Sequence, residues 1–202
     1  MPFLYLIRHP KTEPNPTLPA SQWRINREGY RQVRSLIVAR FWEDVTAVYT
    51  SREPKAYFVG AAVQSLHHIP FFAVEDLHEA RRDEWLGFEA FQAAQTDFFA
   101  RPSEAPVPTW ESAGAAQVRF YRAVEEIEAR HPPSDSLAIV AHATVLTLYI
   151  ARLRGELPSY DWWRKLGFAE VMAVDRTNRL PVTEFLPAPY EQVPYDSKEE
   201  TG

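Results

Sequence analysis

Two histidines stand where a short apolar segment ends, and their chemistry makes them candidates for a functional site. The segment FLYLI runs into Arg8-His9, and the segment LAIVA runs into His142. Such runs are typical of strands buried on both faces of a parallel sheet. Because the carboxyl ends of parallel strands meet at one edge, His9 and His142 are predicted to face each other across a crevice. A neutral imidazole there can act as a nucleophile near neutral pH.

The elements that must position these histidines alternate along the chain. Apolar runs predict buried strands at residues 3–7, 45–50 and 137–140, with later strands at 171–174 and 182–185. Helical spacing predicts a helix from residue 28, further helices at 56–66 and 144–154, and one that Thr109 would cap. The order predicts an α/β fold, a three-layer α/β/α sandwich with a mostly parallel central sheet.

Composition bounds the class of protein. A net charge of −5, with 22 basic and 27 acidic residues, leaves no basic stripe for nucleic acid. The absence of cysteine excludes disulfides and a thiolate nucleophile. No segment reads as a membrane span or a signal peptide, so a cytoplasmic protein without a membrane partner is predicted. The adjacent His67-His68 lack further ligands at metal spacing, and no metal or other cofactor is expected.

The chain is predicted to form one domain over residues 1–187. Residues 188–202 are rich in Pro, Tyr, Ser and Glu and poor in aliphatic residues, which predicts a mobile C-terminal tail. The segment 89–108 combines aromatic residues with prolines and is expected to form a short helix and a loop that lie over the sheet, where a lid could be built.

An ordered series of short motifs resembles the histidine phosphatase, or phosphoglycerate mutase-like, superfamily. The matching segments are Arg8-His9 with Thr12 and Asn15, Gly29 with Gln32, Ser51-Arg52-Glu53-Pro54-Lys55-Ala56, Leu77-His78-Glu79 with Trp85 and Gly87, Trp110-Glu111-Ser112, and Ala141-His142-Ala143. Each motif is weak alone, but their order matches the family from residue 3 to about residue 154. The resemblance implies a phosphoglycerate mutase-like fold.

The resemblance also implies a role for each site residue. His9 would attack phosphorus and form a phosphohistidine intermediate. A cationic clamp on the phosphoryl oxygens would come from Arg8, Lys55 and His142, with Asn15 as a neutral donor. Glu79 would protonate the leaving group and activate water, as a carboxyl with a pKa raised by burial; an exposed acidic loop is the competing interpretation.

Three replacements depart from the family pattern. Lys55 stands where the family has Arg, which exchanges a bidentate fork for a point charge and is expected to weaken phosphate orientation. Pro10 and Ala143 each replace a glycine beside a histidine. Similar Arg-His-Pro and Lys-Ala variants mark a bacterial branch of the superfamily that the chain resembles. Further candidates around the phosphate or the mouth of the site are Arg52, Trp85 and Trp110.

Three functions remain open at this point. The first is a metal-independent phosphatase, a phosphomonoester hydrolase acting on a small phosphorylated metabolite or releasing inorganic phosphate. The second is phosphoglycerate mutase-type phosphoryl transfer, which the short segment between Glu79 and His142 disfavours because a mutase must exclude water. The third is a phosphate-binding module whose catalysis has lapsed. The substrate, the pathway and the oligomeric state are left undecided.

Overall fold

A six-stranded sheet forms the centre of the computed structural model, which describes residues 1–196. The order across the sheet is β3-β2-β4-β1-β5-β6; the first four strands run parallel, and β5 and β6 are antiparallel to their neighbours. This confirms the mostly parallel sheet. The strands are β1 (Phe3–Arg8), β2 (Val45–Ser51), β3 (Phe71–Val74), β4 (Ser136–Ala141), β5 (Val171–Asp175) and β6 (Leu180–Pro181).

Helices cover both faces of this sheet and complete the predicted three layers. The helices α1 and α2 lie on one face, and α3, α4 and α5 pack on the other. Short 3-10 helices occur at Ala20–Gln22, Arg40–Glu43 and Glu75–Leu77. The α-helices are α1 (Arg27–Ile37), α2 (Pro54–His67), α3 (Phe88–Ala100), α4 (Ala113–Glu128), α5 (Ala143–Arg154) and α6 (Tyr160–Lys165).

The strand β1 is apolar from Phe3 to Ile7 because both of its faces are buried there. Leu4 and Leu6 pack with the α4 and α5 side of the core, whereas Tyr5 and Ile7 pack with the α1 and α2 side. Side chains alternate between faces along a strand, so a central strand in a three-layer fold needs apolar residues at every position. The continuous apolar pattern therefore predicted a central strand correctly.

The pairing of β1 with β4 brings the two histidines together. These strands are parallel neighbours, with Arg8 opposite Ala141 at their carboxyl ends. The backbone N–H of His9 donates a hydrogen bond to the carbonyl of Ala141, at 2.9 Å. His9 and His142, each one residue beyond its strand, consequently emerge at the same edge of the sheet.

The loop after β1 is held by the start of α1. Asn26 caps that helix, with its side-chain oxygen accepting from the amide of Gly29 at 2.8 Å. A Cβ at Gly29 would lie 2.1 Å from the carbonyl oxygen of Lys11, so the close approach requires glycine. Gln32, one turn further, accepts from the amide of Lys11 at 2.8 Å. These contacts fix the path of the chain that follows His9.

Two local predictions were wrong. No strand forms at the expected residues 182–185, because β6 ends at Pro181 and the hydroxyl of Thr183 then accepts a hydrogen bond from the amide of Ala173 at 3.0 Å, in place of a backbone carbonyl. The helix α4 is capped by Ser112, not Thr109; the Ser112 hydroxyl accepts from the amide of Ala115. The short edge strand β3 was not predicted from the sequence.

Part of the segment expected to be a mobile tail is packed against the domain. Tyr190 and Val193 are buried with the α1 and α2 side of the core, and the Tyr190 hydroxyl donates to the carbonyl of Ala169. An aromatic ring and an aliphatic side chain outweigh the polar character of their neighbours here. Residues 197–202 lie outside the described residues, and the mobility expected there stays a prediction. None of the described helices is both long and apolar enough to cross a membrane.

Candidate active site

His9 is buried at the end of β1 with one ring nitrogen committed to the backbone. Its Nδ1 lies 2.8 Å from the carbonyl oxygen of Pro10. A carbonyl only accepts hydrogen bonds, so Nδ1 carries the proton and Nε2 keeps a lone pair. Burial, and then the proximity of His142 and of Lys55, hold the pKa of His9 well below its usual range. The neutral imidazole is therefore the stable form, with Nε2 as a nucleophilic atom.

His142 begins α5 and faces His9. The centroids of the two imidazole rings are 5.1 Å apart, as the strand pairing requires. The Nε2 of His142 lies 2.7 Å from the hydroxyl of Ser51, while its Nδ1 has no protein partner among the described residues. Burial and the charge of Lys55 lower the pKa of His142 well below its usual range. The free Nδ1 is the atom available to a ligand.

Arg8 contributes a guanidinium held by an aromatic ring. Its central carbon lies 3.8 Å from the centroid of the Phe168 ring, and one terminal nitrogen donates to the carbonyl of Leu166. Burial lowers the pKa of Arg8 to about 10, so it remains charged at neutral pH. Its Nε is buried without a partner among the described residues, which leaves a donor for an anion.

Lys55 lies inside the site. The side chain is only 6% exposed, although Lys55 occupies the first turn of α2, where a solvated lysine would be ordinary. Its ammonium donates to the carbonyl of Ala20 at 2.7 Å and forms an ion pair with Glu53. A buried ammonium is therefore fixed beside the two histidines.

Glu79 occupies the site but with different electrostatics from those expected. Its carboxylate accepts from the amides of Thr144 at 3.1 Å and of Ala80 at 2.8 Å, and Arg82 lies 3.2 Å away. Burial alone would raise the pKa of Glu79, but the charge of Arg82 and these amides outweigh burial and lower it. The expected raised pKa is therefore wrong, because the carboxylate caps α5.

Two predicted binding residues lie away from the imidazoles. Asn15 is not among the described residues that line the cavity, and its side-chain oxygen accepts from the amide and the hydroxyl of Thr17. Arg52 lines the rim, but its side chain is 67% exposed and pairs with the exposed Glu75 at 3.2 Å. The structure therefore does not bring Asn15 or Arg52 into contact with the central groups.

A cavity of about 1140 Å³ surrounds the central groups and opens between aromatic side chains. Trp85 stands at the mouth, 55% exposed, with its ring 5.8 Å from that of Trp23. Trp110 also lines the cavity but is only 5% exposed and packs against Phe91. The two tryptophans predicted near the mouth therefore differ in role, since only Trp85 offers an open ring face.

The arrangement agrees with a comparison against protein families. The family model described as "Histidine phosphatase superfamily (branch 1)" matches residues 4–186. The chain belongs to the histidine phosphatase superfamily. This match covers the domain from β1 to beyond β6 and includes both histidines.

Individual proteins and solved structures also resemble the chain, at low sequence identity. A protein of Hydrogenobacter thermophilus, named "Putative phosphoserine phosphatase 2", is 26% identical over 162 residues, covering 75% of this chain and 78% of that protein. Among solved structures, mycobacterial glucosyl-3-phosphoglycerate phosphatase with inorganic phosphate has a TM-score of 0.74 at 17% identity, covering 93% of this chain and 98% of that one. The phosphoserine phosphatase of Entamoeba histolytica with 3-phosphoglyceric acid has a TM-score of 0.72 at 18% identity, covering 92% and 96%. The structural matches establish the shared fold.

Glu53 is a site residue that the sequence reasoning missed. It is buried between β2 and α2, where its carboxylate contacts Lys55, His142 and the amide of Glu79. The signal was present, because Glu53 lies within the Ser51–Ala56 motif, and this motif follows a strand that ends at the same sheet edge as β1 and β4. Glu53 was missed because only the basic residues of this motif were considered as ligands of phosphate.

Two arginines missed from the sequence hold Glu79 in place. Arg82 pairs with its carboxylate and donates to the hydroxyl of Thr144 at 2.8 Å. Arg119, from α4, pairs with Glu111 at 2.8 Å and donates to backbone carbonyls of the segment leading into Glu79. These arginines lie far from Glu79 or outside its motif, so spacing could not reveal them.

The polar groups at this site are imidazoles, a guanidinium, an ammonium and carboxylates. Throughout the described part of the chain, no three His, Cys, Asp or Glu side chains form a group able to hold a metal ion. Positive side chains aimed into one cavity match an anionic ligand, and Arg8 Nε is a guanidinium donor without a partner among the described residues.

Proposed function

We propose that this protein is a phosphomonoester hydrolase that acts on a small phosphorylated metabolite through a phosphohistidine on His9. The observation that carries the proposal is the hydrogen bond from His9 Nδ1 to Pro10, which leaves a neutral Nε2 nucleophile. The replacement of glycine by proline is compatible with this role, because proline keeps its carbonyl and loses only its N–H. Phosphatase names among the relatives support the same chemistry.

The first step would transfer the phosphoryl group to His9. The Nε2 lone pair attacks phosphorus, a P–N bond forms, and the bond from phosphorus to the leaving oxygen breaks. Arg8, Lys55 and His142 stabilise the negative charge on the oxygens of the group in flight. A second attack by water then breaks the P–N bond, releases inorganic phosphate and restores His9.

Glu79 is the proposed proton carrier for both steps. Its carboxylate is ionised at neutral pH, as the lowered pKa requires. A bound phosphoryl dianion beside it would favour the protonated form, because like charges disfavour ionisation. Glu79 would then protonate the leaving oxygen and accept a proton from water in the second step.

Two other functions are less well supported. Mutase-type transfer requires a site that excludes water, whereas this cavity opens beside the exposed Trp85. A lapsed phosphate-binding module would not need the lone pair of His9 or a carboxylate beside the second histidine. A cytoplasmic location, the lack of a nucleic-acid partner and the absence of cofactors remain predictions.

Hydrolysis of an aryl phosphate between about pH 5 and 8 tests the proposal. We expect turnover that a chelator does not affect and that His9→Ala abolishes. The matched control is His68→Asn, which removes an exposed histidine at the far end of α2 and places there a residue tolerant of the same positive φ. Turnover that persists in His9→Ala would exclude His9 as the nucleophile. Turnover that a chelator abolishes would contradict the metal-independent mechanism.

A further inference from the structure

A carboxylate lies within the cationic part of the site. Glu53 is buried, with Oε1 accepting from the amide of Glu79 at 2.8 Å and lying 3.3 Å from His142 Nε2. Its Oε2 forms the ion pair with Lys55. The side chain thus touches two of the groups that the proposed function assigns to phosphate.

The donors of Lys55 are largely used by the protein. An ammonium has three N–H donors, and here one contacts the carbonyl of Ala20 and another contacts Glu53. A phosphoryl group reaching Lys55 meets one remaining donor and the negative charge of Glu53. Its oxygens must therefore share the ammonium with Glu53 or displace it.

We propose that Glu53 is an internal competitor of the phosphoryl group for Lys55, and that it sets the affinity of the site for phosphate. This inference rests on the proposed function, because it takes the ligand to be a phosphoryl group at His9. A carboxylate within a few ångströms of a bound dianion weakens its binding, and burial limits the screening by solvent. Weaker binding of inorganic phosphate favours its release after each turnover. This matters because product release limits the turnover of many enzymes.

The test compares the affinity of inorganic phosphate for the wild type and for Glu53→Gln by titration calorimetry. We expect Glu53→Gln to bind phosphate about tenfold more tightly, since the charge is lost in a poorly screened position. The control is Glu84→Gln, which removes an exposed carboxylate lining the same cavity and should leave the affinity within about twofold. Inhibition of aryl phosphate hydrolysis by phosphate should change in parallel.

A second variant controls for misfolding of Glu53→Gln and for new contacts made by its amide. Glu53→Ala removes the charge without placing an amide beside Lys55, and it should also bind phosphate more tightly. In a Lys55→Met background the gain from Glu53→Gln should be smaller, because only the direct repulsion between Glu53 and phosphate remains there. A full gain in that background, or unchanged or weaker binding in folded Glu53 variants, would overturn the proposal.

The outcomes separate this inference from the proposed function. Wild-type turnover that depends on His9, with phosphate affinity insensitive to Glu53, refutes the role of Glu53 alone. A wild type that shows neither turnover nor phosphate binding refutes the proposed function. In that case tight phosphate binding by Glu53→Gln would still support the competition, and its absence would refute that as well.

Discussion

The carboxylate of Glu79 accepts a hydrogen bond from the backbone amide of Thr144, 3.1 Å away at the start of α5. A negative charge at this end of a helix is stabilised by the unpaired amides and the helix dipole. The residue proposed to move protons is therefore also part of the helix cap. Catalysis and stability are coupled at one side chain.

Replacing Glu79 by Gln should cost stability in a pH-dependent way. We expect a loss of about 1–2 kcal/mol in the free energy of unfolding near neutral pH, from the lost charged cap and the lost pairing with Arg82. The pKa of Glu79 is lowered on folding, so its contribution is present above the unfolded value of 4.5 and disappears as pH falls through the folded value. Urea unfolding of both proteins at several pH values measures this.

The comparison has a surface control and a clear contrary result. Glu84→Gln removes an exposed carboxylate and should change stability by no more than about 0.5 kcal/mol. Equal stability of Glu79→Gln and the wild type at neutral pH would show that the cap contributes nothing.

The two buried histidines should make the protein sensitive to mild acid. The pKa values of His9 and His142 are lowered on folding, so the unfolded chain takes up protons first as pH falls below 6.5. Stability is therefore highest above that pH and declines toward the folded-state pKa values. We expect the melting temperature to fall between about pH 7 and 5, and to fall less in His9→Asn. Identical slopes in the two proteins would rule out His9 as a contributor.

Nuclear magnetic resonance of the imidazoles tests the same property directly. Above about pH 6, His9 should remain neutral with its proton on Nδ1, because Nδ1 donates to Pro10. A protonated His9 at that pH, or a neutral His9 with its proton on Nε2, would contradict the assignment of the nucleophile.

The tryptophans near the cavity should separate into one that serves binding and one that serves stability. Trp85 is 55% exposed, and Trp85→Ala should reduce kcat/KM for an aryl phosphate about threefold to tenfold without lowering stability much. Trp110 is 5% exposed, and Trp110→Ala should cost about 3–5 kcal/mol. Kinetics with aryl phosphate and thermal unfolding of each variant provide the two readouts. Destabilisation by both substitutions would remove the distinction.

The ion pair between Arg119 and Glu111 should support the Glu79 segment. Both side chains are largely buried, at 13% and 6% exposed, and Arg119 also holds backbone carbonyls of that segment. Arg119→Met leaves Glu111 unpaired, which should lower stability by about 3 kcal/mol in urea unfolding.

The matched substitution is Arg101→Met, whose arginine is 53% exposed and pairs with surface carboxylates. It should cost less than about 1 kcal/mol, because solvent screens exposed pairs. A similar loss from both variants would mean that the burial of the Arg119 pair has no special effect.

The sequence predicted the elements whose pattern reflects burial. The apolar run of β1 and the apolar segment before His142 required central strands, and parallel pairing then placed His9 beside His142. The fold class and the central pair of histidines followed from this reasoning. Side chains that act through long-range contacts did not, since nothing in the spacing of Arg119 indicates that it supports Glu79.

The errors at the site have the same origin. The lowered pKa of Glu79 depends on Arg82 and on the amides at the start of α5, which only the folded chain assembles. The polar position at Asn15 matched a motif, yet its side chain is satisfied locally by Thr17. The type of a residue was enough to identify it as a candidate for the site. Its hydrogen-bonding partners in the folded chain determine its charge and its contacts.

The buried residues beyond position 187 affect how this protein should be shortened for engineering. Tyr190 packs near Phe41, and the Tyr5 hydroxyl donates to the carbonyl of Pro194. A version ending at residue 187 would uncover aromatic surface on the α1 and α2 side of the core and invite self-association. An affinity tag or fusion partner therefore belongs after the last residue of the chain, so that residues 188–196 keep their contacts.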